Sequence, residues 1–413
     1  MYDCHQTDDE GSTEMDRRGF LGAGAGGLAA AGLLVGGPRA DAQETAKAPN
    51  AGLLPTRVLG KTGVPVSILS LGTWKSVGLD RILRTSWAGG LRYVDTAASY
   101  GSEPAIGRWL KSDSSIRKDL FLVTKNTPNT PSLLLASLEK NLQALQTDYV
   151  DLIFIHAVGD HGGDAAVEWP RSKEFKEAAE AIRKSGKAKF VGFSTHHPRQ
   201  AEILTNAAEG GFVDAIMVRN NPWTAAEAPM NRALDACHKA GIGLISMKQI
   251  AGQKDTDQIA KGMPELKEKG LSPYQALLHA IWSDERFAAA CVSMRNTDQV
   301  RENLAAARNF KPMAKADINR LRDACIAAGP TFCAGCDGSC RRAAGTEAEL
   351  GQLTRALTYH EHHGYRDEAR ALYESLSPSA RNWQGANLEA AREACHNKLD
   401  FAKLLPRVDE LLS

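Results

Sequence analysis

The chain has 413 residues, with 50 basic against 49 acidic side chains and a formal net charge of +1. That near-cancellation leaves no basic footprint for nucleic acid. The length gives room for one large core plus an appendage, and eight cysteines are too few for a disulfide scaffold of this size.

Arg17-Arg18-Gly19-Phe20-Leu21 stands before a weakly hydrophobic run over 22–37, rich in Gly and Ala, and Ala40-Asp41-Ala42 offers small residues at cleavage positions. The pattern resembles a twin-arginine export signal, which carries folded proteins out of the cytoplasm. The run is short for a membrane span and poor in Leu and Ile. Residues 1–42 are therefore expected to be a signal peptide and 43–55 a linker, with a mature protein that is periplasmic or otherwise extracytoplasmic and off the membrane.

Residues 56–62 then form a small cap, and 64–73 the first strong strand. Strand-like runs recur at 91–95, 120–125, 150–156, 189–194, 215–220, 243–248 and 290–293. Helical patterns separate them; Leu134, Leu135, Leu138, Leu142 and Leu145 fall at helical spacing within 131–145. Eight strands alternating with helices predict an α/β protein with a parallel (β/α)8 TIM barrel over 56–329. A doubly wound open sheet is the competing arrangement. It is weakened because Gly72-Thr73-Trp74, not a Gly-rich dinucleotide fingerprint, follows the first strand.

Strand ends carry the chemistry. Asp95 closes the second strand, Lys125 the third and His156 the fourth, while a short polar loop delivers Tyr100. Neighbouring barrel strands set these tips side by side at one mouth. A lysine ammonium beside a phenol is expected to favour the phenolate and lower its pKa from about 10. Asp95 would hold Lys125 charged, and His156 would donate to a carbonyl oxygen, so the set suits protonation of that oxygen as hydride reaches the carbon. Taken singly, each residue has a plainer role, as a buried ion pair or a satisfied core histidine.

The stretches VDTAASYGSEPAIGRWL, LFLVTKN and SLEKNLQALQTDYVDLIFIH together resemble the aldo-keto reductase family over residues 56–310. The resemblance implies a barrel that takes an extended nicotinamide cofactor, NADP or NAD, and acts on a small carbonyl or alcohol. It also implies that Asp95, Tyr100, Lys125 and His156 form the catalytic tetrad, with Tyr100 as general acid/base. Gly72, Thr73 and Ser194 fall at cofactor positions. Asn220 stands where the family places an aromatic ring to stack on the nicotinamide, with Trp223 three residues on as the alternative. Lys248 would contact the phosphates, or else be a surface lysine. In VSMRNTDQVREN, Ser293 and Gln299 replace the basic residues that read a 2′-phosphate, with Arg295 or Arg301 as substitutes; Asn303, with Glu302 beside it, matches an adenine contact.

Past Pro330 the spacing Cys333-x2-Cys336-x3-Cys340 lies in a Gly-rich loop. Helical segments follow at 346–360, 367–375 and 388–394, and Cys395 closes the last. The extension, 330–413, resembles a degenerate ferredoxin-like appendage, which would hold one 4Fe-4S cluster on Cys333, Cys336, Cys340 and Cys395. A zinc site on the same four cysteines, or with His396 or a histidine of the His360–His363 cluster helping, or structural and disulfide-bonded cysteines, are the alternatives. Cys237, Cys291 and Cys325 read as buried small residues. Two function classes follow: an exported oxidoreductase holding its nucleotide tightly, or an electron-transfer or redox-sensing protein with a redox partner.

Overall fold

In a computed structural model of the chain, the described residues are 52–159, 163–248, 256–331, 333 and 338–413. The expected signal peptide and Cys336 lie outside them. Pro49–Ser413 form one compact unit.

Two short antiparallel strands open it: β1 (Thr56–Val58) and β2 (Pro65–Ser67), paired Thr56 to Ser67. The expected strand over 64–73 is thus divided between β2 and β3 (Leu69–Gly72). The hairpin carries Leu59 and Val66 into the barrel interior, fully buried. Lys61 fixes it to the loops before later strands, its ammonium donating to the carbonyl of Gly211 at 2.7 Å. This closes the N-terminal end of the barrel.

Eight parallel strands close on themselves in the order β3, β4 (Tyr93–Asp95), β5 (Phe121–Asn126), β6 (Val150–Ile155), β7 (Ala188–Thr195), β8 (Ala215–Arg219), β9 (Gly243–Met247) and β10 (Phe287–Ser293), with β10 returning to β3. These are the strands of the sequence reading to within a few residues at each end. They are apolar on both faces because both are covered, as a parallel sheet requires. Inward side chains such as Tyr93, Phe121, Leu152, Phe154, Met217 and Ile245 fill the interior, so the barrel is a packed core with chemistry only at its rim. The outward face packs on helices such as Leu134–Leu145, which buries Leu134, Leu138, Leu142 and Leu145 at the expected spacing.

Beyond the barrel the chain forms a helical extension with its own core. Helix Leu350–Glu361 buries Leu350, Leu353 and Leu357, and packs on helix Phe401–Leu412. The sequence reading gave no helix at 401–412. Its apolar spacing (Phe401, Leu404, Leu405, Val408, Leu412) is helical, but Pro406 sits inside it and costs a ladder bond. Among the described residues no helix is long and apolar enough to cross a membrane.

Gly192 pairs with Ala215 across β7 and β8, where an added Cβ would lie 1.9 Å from the Ala215 carbonyl oxygen and 2.7 Å from the Phe154 ring. Gly192→Ala is expected to lower unfolding free energy by about 1–3 kcal/mol or more through overpacking, measured by urea denaturation.

Candidate active site

Three consecutive strands deliver the central group. Asp95 is the last residue of β4, Lys125 the fifth of β5, and His156 follows β6 directly, its N–H donating to the carbonyl of Asn126 at 2.7 Å. The turn bearing Tyr100, Ala98–Tyr100, ends on Gly101, whose φ of 67° suits glycine. Hydroxyls pin that turn from below. Ser102 Oγ meets Thr73 Oγ1 at 2.9 Å and Thr96 Oγ1 at 2.7 Å, and Thr73 Oγ1 donates to the Asp95 carbonyl at 3.0 Å. Glu103 accepts from Thr124 Oγ1 at 2.6 Å and from Asn141 Nδ2 at 2.7 Å, tying the next helix to β5.

Lys125, 1 % exposed, donates through Nζ to Asp95 Oδ1 and, at 2.9 Å, to the carbonyl of Thr96. The same ammonium lies 5.2 Å from the centre of the Tyr100 ring, and the His156 ring stands edge-on to Tyr100 with centroids 5.6 Å apart. The four residues therefore meet at one rim of the barrel. Burial works against charge on Lys125, but Asp95 and Tyr100 outweigh it and raise its pKa, so the ammonium is kept. Burial raises the Asp95 carboxyl against the pull of Lys125.

The phenol of Tyr100 departs from the sequence expectation. Desolvation outweighs the nearby ammonium, and its pKa is pushed up to about 12. The lysine opposes that rise without reversing it. Tyr100 is thus held as a protonated donor near neutrality, beside a cation that would stabilise the phenolate left after transfer. One cysteine read as a simple core residue also belongs here. Cys291 on β10 neighbours Asp95 and the Lys125 ammonium, and burial with the Asp95 charge raises its thiol well above the usual range. Cys237 and Cys325 are buried as expected.

Of the residues assigned to a cofactor, Ser194, Asn220 and Lys248 lie on later strands of the barrel, whereas Gly72 and Thr73 stand beside Asp95 on the neighbouring strand. Gly72 and Thr73 lie at the tip of β3, where a Cβ on Gly72 would reach Cys291 Sγ and Ser293 Oγ at 3.1 Å. Ser194, Asn220 and Lys248 stand at the tips of β7, β8 and β9. Ser194 Oγ accepts from the Ala157 N–H at 3.0 Å. Asn220 is buried, and its Nδ2 makes no hydrogen bond. A buried donor of this kind is costly until an acceptor such as an amide or phosphate oxygen reaches it, so these side chains suit a ligand carrying such oxygens.

Trp223 packs on the cluster around Ile259, Met263 and Leu321, and its indole donates to Asn397 Oδ1 at 3.2 Å. Ser293 and Gln299 are exposed, Gln299 accepting from the Arg295 N–H at 2.8 Å, while Asn303 is buried. Glu302 is turned to the scaffold, accepting from Ser272 Oγ, and Arg301 is exposed and paired with Asp298 at 2.7 Å.

The extension supplies groups to the same mouth that the sequence reading did not find. Lys248 Nζ donates to the phenol of Tyr359, whose ring lies 5.8 Å from that of Trp74. Burial lowers Lys248 to about 8, with Arg355 and Arg219 adding to the effect and Tyr359 opposing it. Burial and the Lys248, Arg355 and Arg219 charges hold His196 neutral. The histidine cluster is partly enclosed: His363 stacks on Tyr365 at 5.7 Å, and His362 Nε2 lies 3.3 Å from Thr331 Oγ1. Helix Leu350–Glu361 was expected; that its Arg355 and Tyr359 face a strand tip across some hundred residues of chain was not legible.

Cys333 and Cys340 line one cavity of about 60 Å³, together with His196, Arg219 and Arg355. Cys395 is buried in the extension core with Cys340. Among the described residues no group of three or more His, Cys, Asp or Glu side chains is placed to hold a metal.

The profile of the aldo/keto reductase family matches residues 69–326. L-glyceraldehyde 3-phosphate reductase of Escherichia coli O157:H7 is 23% identical over 317 residues, covering 63% of this chain and 89% of that protein. Human aldo-keto reductase family 1 member A1 is 27% identical over 296 residues, 64% of this chain and 88% of that one. D-galacturonate reductase of Hypocrea jecorina is 27% identical over 237 residues, 52% and 75% respectively.

Lys125→Met is expected to cost about 3–5 kcal/mol of stability, because it strands the buried Asp95 carboxylate, with much of the loss recovered in Lys125→Met/Asp95→Asn; denaturant unfolding of both variants measures it. The raised phenol also has a signed pH effect. Between about pH 10 and 12 the unfolded chain releases the Tyr100 proton first, so stability falls with rising pH, and Tyr100→Phe removes that part of the slope.

Proposed function

Because the chain belongs to the aldo/keto reductase family and is thereby an oxidoreductase, we propose that it interconverts a small carbonyl compound and its alcohol using NADP(H), with NAD(H) as the alternative nucleotide. One observation carries this reading: the Lys125 ammonium lies between Asp95 and the Tyr100 ring at the rim of a closed barrel, with His156 against the same ring. A nicotinamide held by residues at the tips of β7 to β9 would supply or accept the hydride. Ser194 and Asn220 would hold its carboxamide and Lys248 the phosphates, with Gly72 and Thr73 beside the ring. Ser293, Gln299 and Asn303 would face the adenosine end.

Tyr100 gives its proton to the carbonyl oxygen as the carbon is reduced, and takes it back in the reverse direction. His156 orients that oxygen by a hydrogen bond. Lys125 stabilises the phenolate, and Asp95 keeps Lys125 charged and in place. We further propose that the protein is exported by the twin-arginine route with its nucleotide already bound and retained, since little free nicotinamide nucleotide is expected outside the cytoplasm.

A second reading, electron transfer through a 4Fe-4S cluster on Cys333, Cys336, Cys340 and Cys395, rests on the spacing of those cysteines; the cavity beside Arg219 and Arg355 brings together two of them, Cys333 and Cys340. Cationic neighbours would offset the negative charge of a thiolate-ligated cluster. The two readings are compatible if the extension is an electron-accepting module.

Tyr100→Phe should retain nucleotide binding and lose about 10²–10⁴ in kcat with a panel of small aldehydes and sugars; unchanged turnover would point away from carbonyl chemistry at this tyrosine. Anaerobically purified protein should show nucleotide absorbance, and about four irons per chain is the result the cluster reading requires. Nucleotide without iron would remove the cluster reading and leave the reductase intact.

A further inference from the structure

In a parallel sheet, residues paired in register turn the same way and successive residues alternate. Leu69, Leu71, Ala290 and Val292 face the helices, so Ser70, Gly72, Cys291 and Ser293 face the barrel interior. The register sets Cys291 opposite Ser70, and Gly72 opposite both Ser293 and Asp95. β3 therefore stands between Cys291 on β10 and Asp95 on β4, and at the level of Asp95 it presents a glycine. A Cβ on Gly72 would lie 3.1 Å from Cys291 Sγ, so the sulfur leans into the space that a side chain there would claim. Through that opening the thiol meets the Asp95 carboxyl and hydrogen-bonds it.

We infer that Cys291 is a positioning residue of the proposed reaction: its thiol donates to the Asp95 carboxylate across Gly72, and so secures the negative charge on which the Lys125 ammonium, and through it Tyr100, depends. This rests on the carbonyl–alcohol reading and adds one residue to it.

The carboxylate is short of donors. Lys125 donates to Asp95 Oδ1, while Oδ2 is buried with no nitrogen or oxygen donor on it. A buried acceptor in that position is costly, the more so when ionised. Four titratable groups face it. Lys125 on β5 pulls the carboxyl down against burial, and Cys291 on β10 adds to that pull. Tyr93, two residues back on β4, and Tyr100, in the turn that follows, carry phenols that burial keeps protonated. The Tyr93 hydroxyl makes no hydrogen bond, so it offers the carboxylate no donor. A thiol is a weak donor, but one aimed at a buried ion counts for more than one aimed at a neutral oxygen. Burial and the Asp95 charge hold this thiol well above its usual range, so near neutrality it stays S–H. It thus supplies a proton to share without bringing a charge of its own, which a second lysine would do.

Two variants separate this role from plain packing. Cys291→Ala removes the donor and raises the proton affinity of Asp95. Activity lost at low pH as Asp95 protonates should then be lost sooner: the acid limb of the kcat profile for a small aldehyde is expected to move up by about one pH unit. Cys291→Ser returns a donor and is expected to bring the limb back. A limb that stays in place in both variants, whatever happens to their stability, overturns the role. The contact is read without turnover, from the S–H stretching band in the infrared difference between wild type and Cys291→Ala. Cys237, whose thiol donates to the Leu204 carbonyl at 3.2 Å, gives the reference for a thiol on a neutral oxygen, through the difference with Cys237→Ala. The Cys291 band is expected at lower frequency than that reference; a band at or above it overturns the contact. If wild type reduces no carbonyl compound while the band is low, the carbonyl reading fails and takes the role with it, whereas turnover with an unmoved limb rejects the role of Cys291 alone.

Discussion

Everything at the mouth depends on an ammonium kept where water is not. Lys125 is buried to 1 % exposure and Asp95 to 2 %, and neither charge would persist there by itself, since desolvation of an unpaired ion costs several kcal/mol. Their pairing solves that problem and creates a second condition, for the pair then has to be held in register. Strand pairing does this: Asp95 lies opposite Val123 on β5, two residues before Lys125 on the same strand, so the two side chains are set by the backbone ladder and not by a loop. The network of Thr73, Thr96 and Ser102 then fixes the turn that brings Tyr100 over the same cation. A closed barrel is the means by which three adjacent tips are kept to that tolerance.

The site has two electrostatic halves. On the β4 to β6 side burial holds the Tyr100 phenol protonated. Across the mouth, Lys248, Arg355 and Arg219 together overcome burial and lower the phenol of Tyr359. A tyrosine and a lysine meet in both halves, yet the phenols move in opposite directions, because one faces a carboxylate as well as a cation and the other faces several cations. The donor half suits an oxygen that gains a proton; the cationic half suits an anion that gains none. That division agrees with a small neutral substrate on one side and a phosphate-bearing ligand on the other.

The barrel and the central four residues were legible because they rest on short-range signals. Apolar β-branched runs of four to eight residues mark strands, and a titratable residue at the end of such a run marks a tip. The strand over 64–73 was less legible, since Ser67 and Ile68 do not announce that the pairing changes partner between β2 and β3. The direction of the Tyr100 shift was misjudged for a different reason: proximity of Lys125 can be read from strand order, but how completely the phenol is desolvated depends on what covers it. Cys291 escaped notice because a cysteine inside an apolar strand looks the same whether it points at a core or at Asp95. The contacts of Tyr359, Tyr365 and Glu368 with the rim are long-range and carry no local pattern.

Trp74 is the residue that makes two modules into one. It follows the first barrel strand, yet its ring is packed against the core of the extension, alongside Tyr359 and Tyr365. A barrel shorn of its tail would leave an indole bare at the doorway, and a tail grafted elsewhere would lack the aromatic it closes upon. The two parts are therefore bound to a shared history: drift at one strand tip is answerable to a helix nearly three hundred residues away, and neither can be traded between proteins as a cassette.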